Sequence, residues 1–145
     1  MKAAEMFKVE GYGVIVTGGA SGIGLGFTEV MAENGARVTM LDISQERLDA
    51  ETKRLTAKGW DVRGTKVDVT DHAALHRAFD ETAARYGRLD VCFANAGIDP
   101  GIGFVTVDRK KRVPEGAIEN YEDARWNHVI DINLNGVFAT IRAAA

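Results

Sequence analysis

Short runs of consecutive apolar residues alternate along this chain with longer segments whose apolar residues recur every three or four positions. Runs of the first kind predict strands covered on both faces, and segments of the second kind predict amphipathic helices. Tyr12 to Thr17, with Val14, Ile15 and Val16 in succession, predicts strand one. Gly22 to Asn34 predicts a helix with its stripe at Ile23, Phe27, Val30 and Met31, stopped by Asn34-Gly35. Arg37 to Asp42 predicts strand two through Val38, Met40 and Leu41. Ser44 then caps a helix striped by Leu48, Thr52 and Leu55 and ended by Gly59. Strand three is expected at about Asp61 to Val67. Thr70 or Asp71 caps a third helix with Leu75, Phe79, Ala83 and Tyr86 on one face, closed by Gly87. Val91 to Ala94 predicts strand four. Asn120, with Asp123 three residues on, is expected to open a fourth helix striped by Trp126, Ile130, Asn133, Val137 and Ile141 and still running at Ala145.

Four alternations of strand and helix imply right-handed crossovers and a parallel sheet with helices on both faces. The expected architecture is α/β, a doubly wound Rossmann fold. Its first four strands would stand in the order 3-2-1-4, the opening part of the order 3-2-1-4-5-6. The outer side of strand four would then be bare, and an apolar parallel strand is a poor edge. Residues 1–145 are therefore expected to form the N-terminal part of a single dinucleotide-binding domain, with the remainder outside this sequence.

Composition narrows the class further. The net charge of −3 gives no blanket attraction to nucleic acid or anionic lipid, so neither is expected as a partner. No apolar run reaches membrane-spanning length, and Lys2, Glu5, Lys8 and Glu10 interrupt any signal-peptide core, which makes a cytoplasmic setting the expectation and excludes a membrane partner. Cys92 is the sole cysteine, so an intrachain disulfide framework and a Cys-based zinc site are excluded.

The chemistry is concentrated at Thr17-Gly18-Gly19-Ala20-Ser21-Gly22-Ile23-Gly24, the join between strand one and helix one. Glycines let the backbone come close to a pyrophosphate, while free N–H groups and the positive end of the helix face the anion. Turns also recruit glycine for purely conformational reasons. Asp42, eighteen residues after Gly24 at the end of strand two, stands where a carboxylate accepts hydrogen bonds from an adenosine ribose. Its bland alternative is a solvated strand-end acid.

This octet, with its spacing Gly-x-x-x-Gly-x-Gly, and Asn95-Ala96-Gly97 after strand four resemble the classical short-chain dehydrogenase/reductase family. Asp68-Val69 and Asp131-Ile132-Asn133-Leu134-Asn135-Gly136 match that family's segments after strand three and in the fourth helix. The resemblance implies that Gly18, Ser21, Gly22, Ile23 and Gly24 surround the phosphates and ribose of NAD. It assigns Asp42, with Ile43 beside it, to the adenosine ribose, Asp68 and Val69 to the adenine, and Asn95, Ala96 and Gly97 to the lining of the cofactor site. Asn133 would be a catalytic residue, bending its helix and holding a water. On the residues alone, Asp68 equally suits a helix-start cluster with Thr70 and Asp71, and the lesser alternative for Asn133 is a satisfied core amide or a helix distortion helped by Gly136.

The family's active site also needs a Ser and a Tyr-x-x-x-Lys. Here Tyr12, Tyr86 and Tyr121 are followed four residues later by Val16, Asp90 and Arg125, and the serines are Ser21 and Ser44. His72 and His76 have metal-like spacing, but Ala73 stands where a zinc protease needs Glu, so an exposed helix face and no metal site are expected. His128 is a lone helix histidine, and Cys92 is expected to be a buried small apolar residue. The basic run Arg109-Lys110-Lys111-Arg112 belongs to a long loop, Ile98 to Glu119, which either shapes a substrate pocket or is a disordered or subunit-contacting insert. The expected activity is NAD-dependent interconversion of a secondary alcohol and a ketone by a homo-oligomer. Asp42, followed by the uncharged Ile43, Ser44 and Gln45, disfavours the extra phosphate of NADP. The rival is a dinucleotide-binding or structural module without turnover.

Overall fold

Three parallel pairings fix the sheet. In the computed structural model β1 (Gly13–Thr17) lies between β2 (Arg37–Asp42) and β4 (Val91–Phe93), and β3 (Val62–Lys66) flanks β2, giving the order β3-β2-β1-β4. Val14 stands opposite Val38 on one side and Val91 on the other, and Val38 stands opposite Val62. The structure describes residues 8–99, 101, 113–114 and 117–145. The run Arg109 to Arg112 and most of the loop from Ile98 to Glu119 lie outside the described residues.

All of β1 is buried, and its alternating side chains supply two cores. Val14 and Val16 pack with Val38, Met40, Leu48 and Leu55 beneath α1 (Gly22–Glu33) and α2 (Gln45–Thr56). Ile15 faces the opposite way, into Leu41, Leu75, Phe79 and Ala139 beneath α3 (His72–Tyr86) and a C-terminal helix. The start of β1 is pinned by Asp90, whose Oδ2 accepts from Gly13 N at 2.9 Å while its carboxylate grips Arg88. The Arg88 guanidinium holds the Asp90 carboxyl below the usual carboxylate range.

Local signals behave as their chemistry requires. Ser44 Oγ accepts from Arg47 N at the start of α2, and Asp71, rather than Thr70, caps α3 by accepting from Ala74 N at 2.9 Å. Gly35, Gly59 and Gly87 take positive φ just past their helices.

Two helices depart from expectation. In α1 the face on the sheet is Gly24, Thr28 and Ala32, whereas Ile23 and Val30 are 75% and 59% exposed and Phe27 is at the surface, stacked on Phe93 with ring centroids 4.6 Å apart. Close approach explains the inversion. A Cβ on Gly24 would stand 2.1 Å from Gly18 O, and Thr28 Oγ1 donates to Gly19 O, so only small residues fit beneath the helix.

The fourth helix does not open at Asn120, which ends a tight turn, Ile118–Asn120, and whose Nδ2 donates back to Pro114 O at 3.0 Å. It starts as α4 (Asp123–Ile130), passes through a π-helical turn (Asp131–Gly136) and continues as α5 (Val137–Ala144). The wider turn inserts about one residue into the repeat, so the buried face shifts to Gly136, Ala139 and Thr140. Trp126 and Ile141, both assigned to the stripe, are exposed. Among the described residues no helix is long and apolar enough to cross a membrane.

Candidate functional site

β1 and β4 end side by side, and Thr17 ties their exits together. Its Oγ1 donates to Phe93 O and accepts from Asn95 N at 3.0 Å and Ala96 N at 3.1 Å, while Asn95 Nδ2 donates to Thr17 O. Gly18 follows at φ +64°, where a Cβ would meet Ala96 Cα at 3.1 Å and Asn95 Nδ2 at 3.2 Å. Its role is close packing of the turn on the β4 exit, in addition to any ligand. Gly22 differs: at φ +53° it lines a cleft, and a Cβ there meets nothing within 4 Å. A side chain at Gly22 would stand in open space at the start of α1.

That cleft, ≈ 520 Å³, runs along the carboxyl ends of the strands, where open α/β sheets take their ligands. It is lined by Gly18, Ser21, Gly22, Ile23, Asp42, Ile43, Asp68, Val69, Asn95, Ala96 and Gly97, so the structure brings together most of the residues singled out in the sequence. Gly24 is not on the wall but supports it from below, against Gly18 O. Ile23 and Ile43 present exposed apolar side chains to the cleft.

Asp42 is buried, at 7% exposure, and is not a solvated acid. Its Oδ2 accepts from Ala20 N at 3.3 Å and its Oδ1 from Ser44 N at 3.0 Å. These two amides fix the carboxylate between the glycine turn and the start of α2, with lone pairs remaining on both oxygens. Asp68 Oδ1 accepts from Thr70 N and Thr70 Oγ1, so this acid shapes the entry to α3 while lining the cleft. Val69 is buried, and a Cβ on Gly136 would lie 2.7 Å from its Cγ2, so the π-helical turn packs directly behind the cleft wall.

Asn133 is exposed rather than a buried stripe residue, and it is not on the cleft wall. Its amide is nonetheless bonded on both sides, Oδ1 accepting from Ile98 N at 2.8 Å and Nδ2 donating to Ile98 O at 2.9 Å. A Cβ on Gly97 would lie 3.3 Å from Asn133 Oδ1.

Sequence reasoning missed Leu41, Arg47, Val67, Ile98, His128 and Ile132 on the cleft wall. Leu41 and Val67 follow from their neighbours at strand ends, but His128 comes from a helix with no sequence link to the turn. Arg47 is a cation on this wall beyond the uncharged Ile43, Ser44 and Gln45. It sits in the first turn of α2, two residues past Gln45, and its Nη1 donates to Ser21 Oγ at 3.1 Å. Cys92 is half-buried, and burial pushes its thiol up to about 11. His72 and His76 lie on α3, and among the described residues no group of three metal-binding side chains gathers.

The residues fit a nicotinamide dinucleotide: a turn without side chains at Gly22, an uncapped first turn of α1 behind Ser21, and a fixed carboxylate at Asp42. Comparison with known proteins agrees with this architecture. The family model described as short chain dehydrogenase matches residues 13–145. The chain is 35% identical over 131 residues to tropinone reductase-like 2 of Erythroxylum coca, covering 90% of this chain and 43% of that protein. It is 33% identical over 127 residues to levodione reductase of Leifsonia aquatica, covering 86% and 43%. The solved structure of an NAD+-bound xylitol dehydrogenase superposes with a TM-score of 0.81 at 26% identity, covering 94% of this chain and 48% of that one. The chain thus spans a little under half the length of these relatives. With strand order, glycine turn and family model in agreement over all but the first twelve residues, the chain belongs to the short chain dehydrogenase family.

Proposed function

We propose that these 145 residues are the cofactor-binding part of an oxidoreductase that moves hydride between NAD and a secondary alcohol or ketone. The observation that carries the reading is the buried carboxylate of Asp42, held by Ala20 N of the glycine turn and Ser44 N on the wall of the cleft. The bound nicotinamide ring would accept or deliver the hydride. Asp42 would take the adenosine ribose hydroxyls, and the α1 amides behind Ser21 and Gly22 would take the phosphates. Val69 and Asp68 would border the adenine, with Ile23 and Ile43 covering the ribose. Asn95, Ala96 and Gly97 would carry the cleft toward the reacting end. The oxidoreductase names of levodione reductase and xylitol dehydrogenase support the reaction class, and the latter's bound NAD+ supports the cofactor.

Asn133 is proposed as a positioning residue, because its amide is committed to Ile98. The proton-handling Tyr and Lys of the family have no counterpart in these residues, so turnover is assigned to the whole protein. A homo-oligomer is part of the principal proposal, supported by the exposed row Leu134, Phe138 and Ile141 on one side of the last helix, and a cytoplasmic setting is proposed with it. Calorimetric titration with NAD+ tests the reading: saturable binding lost in Asp42→Ala is expected, and absence of binding to the intact protein would overturn it.

A further inference from the structure

We infer that Asn34 is a site of spontaneous covalent modification, where the backbone nitrogen of Gly35 attacks the Asn34 side-chain amide and water then converts the residue to aspartate or isoaspartate. The inference is independent of the dinucleotide reading. The sequence holds two Asn-Gly pairs, Asn34-Gly35 and Asn135-Gly136. Both meet the chemical need, because glycine puts no Cβ in the way of its own attacking nitrogen and leaves the backbone free to rotate. Their surroundings set them apart. Asn135 is exposed but Gly136 is buried, within one helix that runs from the π-helical turn into α5. A Cβ on Gly136 would lie 2.7 Å from Val69 Cγ2, and Asn135 Nδ2 donates to Asp131 Oδ1 at 2.9 Å. Bringing Gly136 N onto Asn135 Cγ would break the helix in its middle and lift it off Val69. Asn34 and Gly35 are both exposed, just past α1, with Gly35 at φ +86°. They are held by Asn34 Nδ2 donating to Val30 O at 2.8 Å and Gly35 N donating to Ala32 O at 3.0 Å. Both bonds belong to a helix end, and helix ends open at a far lower free energy than packed interiors.

On opening, Gly35 N gives its proton to a solvent base and bonds to Asn34 Cγ, the Cγ–Nδ2 bond breaks, and ammonia leaves a cyclic imide behind. Water then adds to one imide carbonyl. Opening at Cγ restores the chain with an aspartate, and opening at the backbone carbonyl carries the chain through Cγ as isoaspartate. No oxidant or reductant enters. Either product replaces the donor to Val30 O by a carboxylate, which puts negative charge on the negative end of α1 beside Glu33. Isoaspartate also lengthens the link to β2, where Gly35 O accepts from Gly11 N and Met31 O from Ala36 N. The cleft borders the other end of α1, at Ser21 and Gly22, so a whole helix separates it from the modification. The plain alternative is a helix stop with no chemistry of its own.

The intact protein is incubated folded at mildly alkaline pH, with a parallel sample in urea, and peptide mapping by mass spectrometry follows both pairs. In the folded sample Asn34 should convert at least about tenfold faster than Asn135, whereas in urea the two rates should be nearly equal, since only local opening separates them. Asn34→Ser should abolish the change in its peptide. Asn34→Asp, which reproduces one product, should lower the melting midpoint, and by more at low salt than at high salt. Equal folded-state rates at the two pairs, a faster rate at Asn135, or no folded-state conversion at Asn34 while the urea sample converts would overturn the proposal. So would a mass change that persists in the Asn34→Ser peptide. An Asn34→Asp variant melting at or above the wild-type midpoint would overturn the consequence drawn for α1.

Discussion

The side-chain amide of Asn133 and the backbone of Ile98 bond to each other in both directions, at 2.8 and 2.9 Å, across thirty-five residues of sequence. This pair joins the segment leaving β4 to the π-helical turn, and it fixes the floor of the cleft at Gly97 and Ile98. An amide matches both backbone groups of one residue, as a strand partner would, and no other uncharged side chain apart from Gln carries donor and acceptor so placed.

Asn133→Leu should therefore destabilise the chain by about 1–3 kcal/mol, two net hydrogen bonds in a partly exposed setting. Chemical denaturation measures the loss, and hydrogen exchange should show the Ile98 amide losing protection before the amides of β1. Unchanged exchange at Ile98 would contradict the coupling.

Gly22 and Gly24 should fail in different ways. Gly22→Val puts a side chain into the cleft at φ +53°, so NAD affinity should fall by at least about tenfold, with about 1–2 kcal/mol of backbone strain. Gly24→Ala puts a Cβ 2.1 Å from Gly18 O, so it should lower stability by about 3 kcal/mol as the turn is forced off α1. Parallel melting curves and NAD titrations would separate the two.

Asp42→Asn retains one side-chain acceptor for Ala20 N or Ser44 N but removes the charge. Discrimination between NAD and NADP should shrink by about tenfold or more, read as the ratio of their dissociation constants. A ratio equal to that of the wild type would show that the carboxylate does not face the ribose.

Cys92 should be nearly inert in the folded chain. Its thiol is pushed up to about 11 by burial, so the reactive thiolate is suppressed below that pH and grows as pH rises toward it. Near pH 8 about one molecule in a thousand carries the thiolate. Alkylation by iodoacetamide at that pH is expected to run at least about tenfold slower than in urea, with the native rate climbing up to pH 10; equal rates would contradict it.

A polypeptide made of these 145 residues should give no NADH-linked turnover on a panel of ketones and secondary alcohols. Proton transfer by a positioned acid or base is worth about 10²–10⁴ in rate, and no Tyr-x-x-x-Lys is present to supply it. Robust turnover by this polypeptide would remove the need for the missing pair.

The alternation of strands and helices was legible in the sequence because it rests on local periodicity and on glycine where φ must be positive, and the order 3-2-1-4 followed from the doubly wound arrangement that such alternation favours. Asp42 was legible for the same reason: it ends a strand at a set distance from a glycine turn. Tertiary packing decided what local pattern could not. The approach of Gly24 to Gly18 turned α1 over, so that its small residues face the sheet and Ile23 and Val30 face out. A π-helical turn shifted the phase of the last helix by about a residue, which turned Ile141 outward and let Asn133 bond to Ile98. Arg47 reached Ser21 from another element altogether. Each depends on how closely two separately formed elements meet, and a distance between elements is set by the volume of everything packed between them, which no single segment of sequence contains.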